Sequence, residues 1–152
     1  MSIMKWFNKS ELIRCYRDSR QQRCPECRLT QPVRRAPGNV DANIEALVEN
    51  VLDPAREQLG RPIIVSSGFR CPLHNTTVGG VKQSQHIQGE AADVHCADNA
   101  ALARIIVEQG RFDQLILYPT FLHVSYKRVG TNRHRVLRKT TTGYQPLNPL
   151  NL

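Results

Sequence analysis

The sequence predicts an α+β fold: one domain in which a small antiparallel sheet is flanked by helices. Two stretches repeat apolar residues at the helical period, and two strand-like runs, Phe112–Leu117 and the alternating Phe121–Tyr126, flank Pro119 at hairpin-like spacing. A length of 152 residues suits one domain with short extensions. The chain divides into a basic N-terminal arm or extension over 1–40, a domain over 41–139 and a flexible tail over 140–152.

In chain order, Ser10 is placed to cap a short helix running to about Asp18, with Glu11 in its first turn. Arg20 to Asn39 is rich in Arg, Gln and Pro and reads as a loop. Ile44, Leu47, Val48, Val51, Leu52, Ala55 and Leu59 then form one apolar stripe. Asp41 is the candidate N-cap and Gly60 the candidate stop, and Pro54 should kink or divide the helix. Ile63–Val65 is a short strand, and Ser66 to Ser84 is loop-like. In Ala91–Cys96, Ala92, Val94 and Cys96 face one way, while Ala91, Asp93 and His95 face the other. Asp98 caps a helix carrying Leu102, Ile105 and Ile106 and ending at Gly110. Phe112–Leu117 is a strand. In Phe121–Tyr126, Leu122, Val124 and Tyr126 face the core, with Phe121, His123 and Ser125 opposite. Val136–Leu137 is a last short strand. Residues 140–152 carry no charge and two prolines, so a loose tail is expected.

The net charge of +8 first suggests an anionic partner. Its distribution weakens that inference: residues 1–40 carry +6, residues 127–139 carry +6, and the middle, 41–126, carries −4. A nucleic-acid fold would place bases on its central elements, and no RNA motif or zinc finger accompanies them, so specific nucleic-acid binding is disfavoured. No apolar run reaches the ~18–20 residues of a membrane span. Met1–Ser10 has no apolar signal core, which predicts a protein that is cytoplasmic as synthesised. Cys24 and Cys27 form a C-x-x-C without a second pair at zinc-finger spacing; free thiols, a disulfide and a partial metal site all remain open for them.

The chemistry concentrates on the polar faces of two strands. Asp93 lies on one and His123 on the other, and His86 stands seven residues before Asp93, across Gly89. Two His and one Asp suit a catalytic zinc ion, because three protein ligands leave a fourth position open for water. Such a metal brings water towards neutral-pH reactivity and polarises a carbonyl.

The local motif Ser84-x-His86-x-x-Gly89-x-Ala91-x-Asp93 resembles the signature of the zinc D-Ala-D-Ala carboxypeptidase family of peptidoglycan peptidases, which is similar in fold to the Hedgehog signalling domain. Ser66-Ser67-Gly68-Phe69-Arg70, Asn75 with Val78-Gly79-Gly80, Phe112–Ile116 and Leu122-His123-Val124-Ser125 extend the resemblance over roughly 41–138. It implies zinc held by His86, Asp93 and His123, with Arg70 binding the substrate's carboxylate or the developing oxyanion. Ser84 orients a ligand or substrate, or serves as a turn hydroxyl. Many members carry an acid shortly before the last His, yet none lies here between Asp113 and His123. His95 and Tyr118 are the candidates for proton transfer, ahead of Asp113 and Glu90. The resemblance implies hydrolysis of a peptide bond next to a D-amino acid, in peptidoglycan stem peptides or cross-bridges. A phage or prophage enzyme, released or carried by a virion, would reach that wall without a signal peptide. The basic ends suit anionic envelope polymers, and a monomer is expected. The alternative is a zinc-containing, non-catalytic wall- or protein-binding module that has lost its base.

Overall fold

Pro54 sits in a helix that does not break. The computed structural model describes residues 4–13, 39–71, 79–80 and 83–152. In it the helix runs as α2 (Asn39–Leu47), a π-helical turn (Val48–Leu52) and α3 (Asp53–Leu59). Proline lacks an N–H, and its ring crowds the carbonyl four residues back. The wider turn just before it, closed by the Asp53 N–H on the Val48 carbonyl, takes up that conflict where a kink was expected. The helix also starts two residues before the expected cap, Asp41.

The buried Asp53 carboxylate accepts the backbone N–H groups of Lys5 (2.7 Å) and Trp6 (2.9 Å). This anchors the segment 4–13, whose Phe7, Leu12 and Ile13 lie in the core. Helix α1 (Lys9–Leu12) is capped by Asn8 and not by Ser10: the Asn8 side chain accepts from Glu11 N–H while Glu11 reaches back to Asn8 N–H. This reciprocal pair satisfies two end groups at once, which a hydroxyl at Ser10 does not. The helix expected to run to Asp18 stops instead at Leu12, where Ile13 is extended and bridges to Phe69; Cys15, Cys24, Cys27 and Asn75 lie outside the described residues.

Six strands form one sheet: β1 (Ile64–Ser67), β2 (Ala91–His95), β3 (Gln114–Leu117), β4 (Leu122–Ser125), β5 (Arg135–Thr140) and β6 (Gly143–Pro146), in the order β1-β2-β4-β3-β5-β6. The class is α+β in a single domain, as expected. The sheet is mixed, however, because β5 runs parallel to β3. Two successive reversals, β3 to β4 and β4 to β5, return the chain to its first direction; β2 already occupies the far edge of β4, so β5 takes the open edge of β3. Where a loose tail was expected, β6 pairs with β5 through a turn in which Thr140 Oγ1 donates to the Gly143 carbonyl at 3.0 Å.

Helix α4 (Asn99–Gln109) is capped by Asp98, which accepts from Ala101 N–H, and stops at the left-handed Gly110, as read from the sequence. Leu102 and Ile106 of α4, with Ile44, Leu47 and Val48, pack on the sheet face formed by Ala92, Val94, Leu115, Leu122 and Val124. The opposite face is left to carry the polar side chains. Among the described residues no helix is long and apolar enough to cross a membrane.

Candidate metal centre

Strands β2 and β4 pair antiparallel with Asp93 directly opposite His123. The core side chains Ala92, Val94, Leu122 and Val124 hold this register, since a slip of one residue would turn every one of them outward. His86 enters from a one-turn 3₁₀ helix (Gln85–Gln88), whose N-cap Ser84 accepts the His86 N–H at 3.2 Å. Gly89 ends that turn in the left-handed region (φ 75°), and a Cβ there would meet the Val40 carbonyl at 2.7 Å. The turn is thereby pressed onto α2, and His86 points back over β2.

One ligand atom from each of His86, Asp93 and His123 lies within 4.8 Å of the others. Asp93 Oδ1 is 3.2 Å from His86 Nε2 and 3.2 Å from His123 Nδ1. The second Asp93 oxygen accepts from Arg70 Nη2 at 3.0 Å, and Arg70 Nε donates to Ser67 Oγ at 3.1 Å. The His86 Nδ1 lies 2.7 Å from the Gly68 carbonyl. A carbonyl can only accept, so Nδ1 carries the proton and Nε2 presents a lone pair. That Nε2 is buried and makes no hydrogen bond. A buried acceptor without a partner is costly, and a cation among two imidazoles and a carboxylate would satisfy it. Burial alone would raise the Asp93 carboxyl pKa. The adjoining His123 and His86 rings outweigh it and hold the group well below the usual carboxylate range. Burial lowers the His123 pKa, despite the neighbouring Asp93, so its ring is neutral near pH 7 and available as a ligand.

The Peptidase M15 family profile matches residues 7–125, which include all three of these side chains. The chain belongs to the peptidase M15 family. A search among curated proteins finds no match. M15 membership makes the chain one of a family of metallopeptidases, and the His-Asp-His cluster is a site able to bind a metal ion.

A cleft of about 600 Å³ opens over the cluster and also takes in Arg70, Ser84 and Tyr118. That volume lies within the ~300–1,000 Å³ of small-ligand sites. His95 shares the Asp93 face of β2 but lies at the far end of the strand, opposite Ile64, and does not line the cleft. Tyr118 does line it, stacked on Phe121 with ring centres 4.4 Å apart and its hydroxyl 3.1 Å from that of Tyr144. Burial and the Tyr144 hydroxyl push its pKa above the ordinary phenol value, so Tyr118 is a proton and hydrogen-bond donor at neutral pH and not a base. The Asp113 side chain is fully buried and spent: it accepts from Arg133 Nη2 (2.7 Å), Arg133 Nε (3.1 Å), Arg133 N (2.8 Å) and Gln85 Nε2 (3.0 Å). Burial acts to raise its pKa, but these bonds bring it down to about 2. Burial raises the Glu90 pKa, and Glu90 does not line the cleft. Among the described cleft residues, Asp93 is thus the only carboxylate.

Sequence reasoning missed the far wall of the M15 cleft: Arg133, Arg135, Leu137 and Tyr144. The alternation of Arg135 and Leu137 could have revealed two of them. The basic composition of 127–139 concealed it, and Tyr144 sits in a stretch with no pattern at all.

Proposed function

We propose that the chain is a zinc-dependent peptidase that hydrolyses peptide bonds next to D-amino acids in bacterial peptidoglycan. The observation that carries this reading is the convergence of His86, Asp93 and His123, with the partnerless Nε2 of His86 among them, in an M15 chain. These three residues would hold zinc, which when bound would polarise the scissile carbonyl and make water nucleophilic near neutral pH. Arg70 fixes Asp93 through its second oxygen and presents positive charge to the cleft, suited to a substrate carboxylate or an oxyanion. Tyr118 supplies an O–H donor to the developing negative charge or to the leaving amine. Gly68 holds His86 in the tautomer that leaves Nε2 available. We place its action at the bacterial wall, after release or on a virion.

The absence of a second carboxylate among the described cleft residues favours one other reading, a zinc-containing module that binds wall peptides without cutting them. Incubating the zinc-loaded protein with muropeptides and following the products by mass spectrometry separates the two. Loss of terminal D-Ala or of cross-links, abolished in His86→Ala, is the result expected of the peptidase. Intact muropeptides at one zinc per chain would overturn the peptidase reading for those substrates.

A further inference from the structure

The two walls of the cleft differ in what their cations hold. Arg70 is committed to Asp93, and Arg133 to Asp113. Arg135 also lines the cleft, is exposed, and has no ion-pair partner among the described residues. It stands on β5, two residues from Leu137, on the same face of the sheet. A row in register crosses that face: Asp93, His123, Ile116, Leu137. Strand spacing of ~4.8 Å and a rise of ~3.3 Å per residue put the Arg135 Cα about 12 Å from that of His123. An arginine side chain and a substrate side chain together span that gap. Between them Ile116 and Leu137 provide an apolar floor, and Tyr144 closes the side, its ring covered by Lys139 Nζ at 4.6 Å. β5 and β6 lie beyond residue 125, outside the matched family region.

We propose that Arg135 binds a carboxylate carried by a substituent of the peptide substrate, and so selects peptides with a free acid at that position over their amides. This inference rests on the peptidase reading for the kind of ligand, a peptide, but its test does not depend on cleavage. A guanidinium suits the task, because its planar fork pairs with a carboxylate through two parallel hydrogen bonds, which a neutral amide cannot accept in the same way. A surface arginine kept only for solubility would make no such distinction.

The test uses the zinc-loaded full chain and two muropeptides that differ at one group, a side-chain carboxylate of the stem peptide that is free in one and amidated in the other. Calorimetry measures binding of each to the wild type, Arg135→Ala and Arg135→Lys, with mass spectrometry following cleavage in parallel. The wild type should prefer the acid by ~10–100-fold in Kd. Arg135→Ala should bring the two within a few-fold of each other, chiefly by weakening the acid, and Arg135→Lys should fall between. The exposed position lets the variants fold, which matching thermal melts check; Arg135→Gln replaces Ala if the melts differ. An unchanged preference in Arg135→Ala, no preference in the wild type, or no binding of either peptide overturns the subsite. An Arg135-dependent preference without cleavage upholds the subsite and overturns the peptidase reading instead.

Discussion

The cleft has two walls made by different means. On the wall that carries the His-Asp-His cluster, the polar groups around it are buried or half-buried and held by one another: Ser84 by the His86 backbone, His86 by Gly68, Asp93 by Arg70 and His123. The far wall, on β5 and β6, offers exposed Arg135 and Tyr144. The first fixes donor atoms in place, as metal binding requires, since a loosely held ligand must pay ordering entropy each time it binds. The second leaves charge accessible to something that arrives and departs. Asp93 and Asp113 make the same contrast within one sheet. Both are buried carboxylates with lowered pKa, but Asp93 faces the cleft and Asp113 is consumed by Arg133 and Gln85. A buried acid near a cleft is therefore not by itself a candidate base, and its hydrogen-bond partners decide.

The contrast can be broken most strongly at the wall that carries the cluster. His86→Ala should abolish stoichiometric zinc binding, read by metal analysis after gel filtration, while Arg135→Ala on the far wall should leave it intact. Equal zinc content in both variants would show that the two walls do not divide the work in this way. Next in size is Gly68→Ala. A Cβ there would strike the Leu12 backbone, meeting its carbonyl oxygen and, at 2.8 Å, its Cα, and would displace the carbonyl that orients His86. Zinc affinity should fall ~10–100-fold, together with a stability loss of ~1–3 kcal/mol, measured by competition with a chelator and by urea unfolding. A normal zinc affinity would show that Gly68 does not set the imidazole.

The strands and their faces were legible because alternation and burial agree: Ala92, Val94, Leu122 and Val124 face the core, and Asp93 and His123 therefore face away from it. The three side chains of the His-Asp-His cluster were legible through the motif, and α4 through Asp98 and Gly110. The β5–β6 hairpin was legible only at Val136–Leu137. Those two neighbours are both buried, one on each face, which erases the alternation of β5; β6 is an edge strand exposed along most of its length, and Thr140–Gly143 makes a turn without the usual Asn-Gly signal. The docking of residues 4–13 was also hidden, because it depends on Asp53 reaching backbone N–H groups more than forty residues away, a contact no local pattern encodes. The distant position of His95 follows from strand length: Asp93 and His95 share a face, yet the cleft ends between them.

Asp113 sharpens the comparison of the two acids. Asp113→Ala should cost ~2–4 kcal/mol of stability by leaving Arg133 and Gln85 without their acceptor, with zinc binding retained. Its pH signature has a definite sign. The folded pKa, about 2, is below the ordinary 3.8, so the stability it contributes is fully present above the ordinary value and is lost as pH falls through about 2. Asp113→Asn should flatten that part of the acid unfolding curve, and an unchanged curve would remove Asp113 from the account. The smallest effect is expected at Tyr118. Tyr118→Phe should lower kcat ~10-fold with zinc content unchanged, and it should not shift the acid limb of the pH–rate profile, since the phenol acts as a donor. A shifted acid limb would mean that Tyr118 titrates as a base.

The central claim, that His86, Asp93 and His123 form the metal centre of a peptidase, is tested most directly by one measurement. Cleavage of a muropeptide mixture is followed by mass spectrometry in the same sample as purified, after chelation, and after zinc is restored. The account predicts cleavage, its loss, and its recovery in step with one zinc per chain. Muropeptides left intact at full zinc loading, or cleavage that survives complete removal of the metal, would contradict it.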